Sequence, residues 1–76
     1  MKPLSLRVLR LFSEMGRDRL DLHVLFEAGG NEASERERVL DAIDELVRDG
    51  MLQAESGDFY ALTEKGKKQS LRDEEK

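Results

Sequence analysis

The sequence predicts a small α+β domain: a three-helix core followed by a β-hairpin. Three observations predict it. Residues 4–15 carry apolar side chains at helical spacing, and residues 34–52 hold a helix start, an apolar stripe and a stop. Two short apolar runs, residues 51–54 and 59–62, then flank the polar, glycine-containing turn Glu55-Ser56-Gly57-Asp58.

In the first segment Leu6, Leu9, Phe12 and Met15 fall on one stripe, Val8 and Leu11 widen it, and Gly16 ends it. Arg7 and Arg10 lie off the stripe, toward water. Residues 17–22 form a charged connector in which Leu20 makes a very short strand and Asp21 caps a second helix. That helix has Leu22, Leu25, Phe26 and Gly29 on one side, and Gly29-Gly30-Asn31 breaks it. The third helix spans residues 34–49. Ser34 and Glu37 form an S-x-x-E capping box, so Ser34→Ala is expected to cost roughly 1 kcal/mol. Val39, Leu40, Ile43, Leu46 and Val47 line its inner side, Arg38, Asp41, Glu45 and Arg48 face out, and Gly50 supplies the left-handed end. In the hairpin Tyr60 and Leu62 share an inward face. Phe59 points the other way and is expected to pack under the edge of the first helix; the alternative is an apolar spot for a partner or a second copy. Thr63 caps a last helical turn, and residues 71–76 form a charged tail expected to fray, leaving a single domain over residues 1–70.

Composition narrows the function. The chain has 76 residues, a net charge of −4, no cysteine and one histidine. No stretch approaches the ~18 apolar residues of a membrane span, and Arg7 and Arg10 interrupt any secretory core, so a cytoplasmic domain is expected. Without cysteine there is no disulfide, thiolate chemistry or cysteine-bound zinc, and the lone His23 reads as a surface or rim residue, so neither metal nor cofactor is expected. Carboxylates at solvent-facing helical spacing, without a phosphate loop or a substrate-sized core, argue against an enzyme and against a small-molecule substrate.

Two strings carry a family resemblance. Glu45-Leu46-Val47-Arg48-Asp49-Gly50-Met51-Leu52 and Tyr60-Ala61-Leu62-Thr63-Glu64-Lys65-Gly66 resemble the "E-L-x-x-D-G-L-[IL]" and "Y-x-L-T-x-x-G" of MarR- and PadR-type prokaryotic transcription regulators. The likeness covers roughly residues 4–66, without the long additional helix through which those regulators dimerise. It implies a winged helix-turn-helix: a three-helix core with a small hairpin wing, acting as a small DNA-binding regulator in the cytoplasm through the 34–49 helix and the 53–62 wing.

Carried over to this chain, the resemblance implies that Ser34, Arg36 and Arg38 meet double-stranded DNA first, with Ser56 and Gly57 at the wing tip near the backbone. Arg17, Arg19, Lys65, Lys67 and Lys68 are basic residues near the two ends of the chain that would add phosphate contacts if the fold brought them together. Charge opposes a simple transfer, because the 34–49 helix holds Arg36, Arg38 and Arg48 against Glu35, Glu37, Asp41, Asp44, Glu45 and Asp49. The alternative is a protein-docking module that meets its partner through this acidic helix and the wing, with Asp41, Glu45 and Phe59 as contact residues. Specific DNA binding would also require a homodimer.

Overall fold

Helix α1 (Pro3–Met15) opens on a proline, whose missing N–H costs nothing in a first turn, and ends at a left-handed Gly16. Its buried positions are Ser5, Val8, Leu9 and Phe12. The inner stripe is therefore rotated from the one expected: Leu6 is only half-buried and Met15, at the helix end, is 41% exposed. The reason is geometric. At 3.6 residues per turn, 5, 8, 9 and 12 sit under the core, and a serine there is tolerated between larger neighbours.

The computed structural model describes the backbone of residues 2–74 and the side chains of residues 2–70. After α1 come β1 (Arg19–Asp21), α2 (Leu22–Leu25), α3 (Arg36–Arg48), β2 (Leu52–Ala54), β3 (Phe59–Leu62) and α4 (Glu64–Glu74). The described residues thus form an α+β unit of four helices and one three-stranded antiparallel sheet, in which β3 is central and the order is β1-β3-β2. Leu20 pairs with Tyr60 and Leu52 with Leu62, so these residues share the inner face of the sheet. Leu20 and Leu52 join Val8, Leu9, Phe12, Leu25, Val39, Ile43 and Leu46 in one core, against which Tyr60 and Leu62 pack partly buried.

Several expected local signals operate. Asp21 leaves β1 and at once caps α2, its carboxylate accepting from the Val24 N–H at 2.8 Å. Gly50, at φ 77°, ends α3, with Gly50 N–H donating to Val47 and Met51 N–H to Leu46. Gly57 and Asp58 both take positive φ in the hairpin turn.

Other signals are overridden. The second helix is a single α-turn followed by a 3-10 turn over Phe26–Gly29, because Gly30 and Asn31 both take left-handed backbone immediately afterwards. Ser34 is not the cap of α3. Residues 33–35 wind a 3-10 turn, Glu35 is already in right-handed helical conformation, and no side chain caps the helix start. A capping side chain needs extended backbone at its own residue, and that conformation falls on Glu32 instead. Leu40 does not belong to the inner stripe either: Val39, Ala42, Ile43 and Leu46 are buried and Leu40 is 42% exposed. At the C-terminal end, α4 runs as helix through Glu74, further than a single capped turn. Residues 75 and 76 of the tail expected to fray lie outside the described residues.

Candidate functional site

The two strings that carry the family resemblance meet in space. Thr63 Oγ1 donates to the Gly50 carbonyl at 2.6 Å and accepts from the Gly66 N–H at 3.1 Å, while Thr63 N–H donates to the Met51 carbonyl at 3.1 Å. Lys65 Nζ donates to the Asp49 carbonyl at 2.7 Å. Gly66 passes so close that a Cβ there would lie 2.3 Å from the Met51 oxygen. Asp49, Gly50 and Met51 of the first string and Thr63, Lys65 and Gly66 of the second therefore close the joint between α3, the hairpin and α4, and carbonyls that a helix end leaves unpaired are satisfied there. This joint fixes how α3 is presented relative to the hairpin.

An exposed leucine on α3 stands among charges of both signs. Leu40 is flanked along the helix by Arg36 and Glu37 one turn before and by Asp44 one turn after, all exposed, while Asp41 lies round the helix in the groove toward α1. The arginines of this helix are engaged locally. Arg38 Nε lies 3.6 Å from Glu35 Oε2, Arg48 bonds Asp44 one turn back, and the Arg36 guanidinium sits 5.3 Å from the centre of the Phe26 ring. The Asp44 bond and charge hold Arg48 above the ordinary arginine pKa, so it stays cationic throughout the physiological range. Glu45 pairs across to Lys2 at 3.4 Å. Of the residues implicated in DNA contact, Ser34 and Arg36 do stand exposed at the start of the helix, in the 3-10 turn and the first α-turn respectively.

The hairpin adds no cation at its tip, which is Ser56-Gly57-Asp58. Strand alternation puts Arg19, Phe59, Ala61 and Gln53 on the outer face of the sheet. Phe59 is 37% exposed there and does not pack beneath α1. Arg19 covers part of it: its guanidinium lies 5.0 Å from the ring centre and reaches across to Glu55, with Nε 2.6 Å from Oε1. The Arg19 charge is thus paired within the sheet, and the expected packing of Phe59 fails because inner-face slots of β3 belong to Tyr60 and Leu62.

Basic residues from the two ends of the chain do approach one another, but elsewhere. Arg17 and Lys67 line one small hollow of about 250 Å³ with Phe12 and Leu62, and Lys67 pairs with Asp18 at 3.5 Å. Antiparallel pairing of Asp21 with Phe59 puts the hairpin tip at the opposite end of β1 from Arg17. Lys65, at the Asp49 carbonyl, is one helix length from Arg36, about 20 Å. The structure therefore does not gather Arg17, Lys65 and Lys67 with Arg36, Arg38, Ser56 and Gly57 on one surface. Lys68 is exposed on α4.

A larger groove of about 540 Å³ runs between the start of α1 and α3, lined among others by Lys2, Leu4, Arg7, Arg38, Asp41 and Glu45. The groove is not legible in the sequence, because its walls come from helices far apart in the chain. The exposure of Leu40 follows once Ala42 is placed on the inner stripe, because Val39, Ala42, Ile43 and Leu46 complete the buried arc without it. Among the described residues no cluster of histidine and carboxylates is arranged to hold a metal, and no helix is long and apolar enough to cross a membrane. His23 is exposed. Comparison with family models, curated proteins and solved structures finds no match to this chain.

Proposed function

We propose that this chain is a winged-helix module of the prokaryotic regulator type, and that it docks a protein partner on the outward face of α3 and the hairpin wing. The order of elements supports the winged-helix reading, with β1 between α1 and α2 joining the hairpin through β3 and α3 leading straight into it. The observation that carries the choice of partner is electrostatic: α3 exposes Glu37, Asp41 and Asp44, while Arg38 and Arg48 are each paired with a carboxylate nearby in sequence and Arg36 stacks on Phe26. DNA affinity depends on lysines and arginines that neutralise phosphates, and this face presents mainly the opposite charge. On this reading the protein is neither an enzyme nor a cofactor carrier, and it works in the cytoplasm as an accessory to regulation.

A second reading, binding of duplex DNA by a small regulator, is favoured by one feature. Arg36 stands exposed in the first turn of α3, where the positive end of the helix also attracts phosphate, with its guanidinium over the Phe26 ring. A homodimer would then supply the second half-site. The two readings separate in one fluorescence-anisotropy titration of the purified chain against mixed-sequence duplex DNA, at low and at physiological salt. The docking reading expects no saturable binding even at low salt, where attraction is least screened. Binding that fades steeply with added salt would establish the DNA reading instead.

A further inference from the structure

Helix α4 is docked almost without apolar side chains of its own. Its sequence, Glu64–Glu74, holds a single aliphatic residue, Leu71, and the stretch from Glu64 to Ser70 holds none. Among the described residues, those it buries are Gly66 and Ser70, which lie one turn apart on the same face. Gly66 rests on the Met51 carbonyl and the Leu62 side chain, so the apolar surface under α4 belongs to its neighbours. The other fastenings are polar: Lys65 Nζ donates to the Asp49 carbonyl at 2.7 Å, Lys67 Nζ lies 3.5 Å from Asp18, and the Gly66 N–H donates to the Thr63 hydroxyl at 3.1 Å. Exposed ion pairs contribute little, and an eleven-residue helix with an internal glycine is marginal once undocked. A buried hydroxyl also works against closure. Ser5 Oγ on α1 has no hydrogen-bond partner among the described residues and Ser5 lines, with Gln69 of α4, a hollow of about 420 Å³.

We infer that α4 is a latch: its Glu64–Ser70 part leaves the domain as one unit while α1, α3 and the sheet stay folded, and its closing orders the end of α3. The domain keeps its core through the opening, because no described residue of α4 belongs to the buried cluster that Val8, Leu9, Leu25, Val39, Ile43 and Leu46 form with their neighbours. Opening withdraws Lys65 from the Asp49 carbonyl, frees the Thr63 hydroxyl from the Gly66 N–H, and uncovers Met51 and Leu62. The end of α3 then loses a donor that holds its last carbonyls, and the left-handed turn at Gly50 rests on its own backbone bonds.

The test is native-state hydrogen exchange, followed residue by residue by NMR on the full isotopically labelled chain. The amides of Lys67, Lys68, Gln69 and Ser70 are expected to share one opening and to exchange roughly tenfold faster, or more, than those of Val39, Ile43 and Leu46, with Gly50 following α4. Lys67→Gln removes the pair with Asp18 and should speed exchange in α4 while leaving Val39, Ile43 and Leu46 unchanged. Protection that falls steadily from Lys67 toward Ser70 would show a helix fraying from its end and would overturn the latch. So would α4 amides that exchange at the rate of Leu46, through unfolding of the whole domain. Gly50 protected as well as Leu46 would overturn the ordering of α3 by α4.

Discussion

Thr63 Oγ1 lies 2.6 Å from the Gly50 carbonyl oxygen and 3.1 Å from the Gly66 nitrogen, so one hydroxyl closes the end of α3 and caps the start of α4. Removing it strands both partners. Thr63→Ala should destabilise the chain by about 1–2 kcal/mol, in the range of a lost cap, while Thr63→Ser should retain most of that. Thermal melting would register the alanine variant as a fall of about 4–8 °C per kcal/mol for a domain of this size. A melt unchanged in Thr63→Ala would show that the joint is held by its backbone bonds alone.

Gly66 is a stricter requirement. Since a Cβ would lie 2.3 Å from the Met51 oxygen and 2.7 Å from Leu62 Cδ1, Gly66→Ala must push α4 away from the hairpin. The cost expected is that of overpacking, about 1–3 kcal/mol or more. Gly50→Ala meets no atom within 4 Å but forces a side chain into left-handed backbone at φ 77°, which should cost about 1–2 kcal/mol. Urea denaturation of the two variants should rank Gly66→Ala as no less damaging than Gly50→Ala; the reverse order would place the joint elsewhere.

Ser34 and Asp21 form a paired test of helix starts. Asp21 accepts from Val24 N–H and Ser34 accepts from no helix N–H. Asp21→Ala should therefore cost about 1 kcal/mol and Ser34→Ala less than about 0.5 kcal/mol. Equal losses in chemical denaturation would mean that Ser34 caps α3 in solution after all.

Leu40 and Ile43 lie three residues apart on the same helix but face opposite media. Ile43, at 2% exposure, should lose about 2–5 kcal/mol on truncation to alanine. Leu40→Ser should leave the melting temperature within a few degrees of the original, because much of its surface is already in water. A large loss at Leu40 would show that the side chain is covered in the folded chain.

Arg19 and Phe59 should be coupled. A double-mutant cycle with Arg19→Ala and Phe59→Ser should return an interaction of about 0.5–1 kcal/mol, the usual worth of an exposed cation–π contact. If Phe59 also serves as a contact between copies, Phe59→Ser should abolish concentration-dependent association in analytical ultracentrifugation without a matching fall in stability. Purely additive effects and unchanged sedimentation would leave Phe59 a lone surface aromatic.

The features legible in the residues alone are local. The left-handed stops at Gly16 and Gly50, the Asp21 cap, the hairpin turn around Gly57 and the brief strand at Leu20 each depend on a few adjacent residues whose backbone preferences agree, and each is present. Local signals misled where two of them competed. Ser34 and Glu37 satisfy the spacing of a capping box, yet the run from Gly30 and Asn31 enters α3 through a 3-10 turn that leaves Ser34 in the wrong conformation to cap. Leu40 misled because apolar character at helical spacing defines an arc only to within one residue, and the partners that α1 and the sheet present decide which residue lies at its edge. The distribution of charge over the surface is set by packing instead. Seventeen carboxylates against thirteen cations give a net charge but no pairing. Pairing between elements depends on which of them pack together, and packing sets Arg19 against Glu55, Lys2 against Glu45 and Lys67 against Asp18. It also holds Arg17 and Lys67 at the end of the sheet away from the hairpin tip, apart from the exposed Arg36, Glu37, Leu40 and Asp44 of α3.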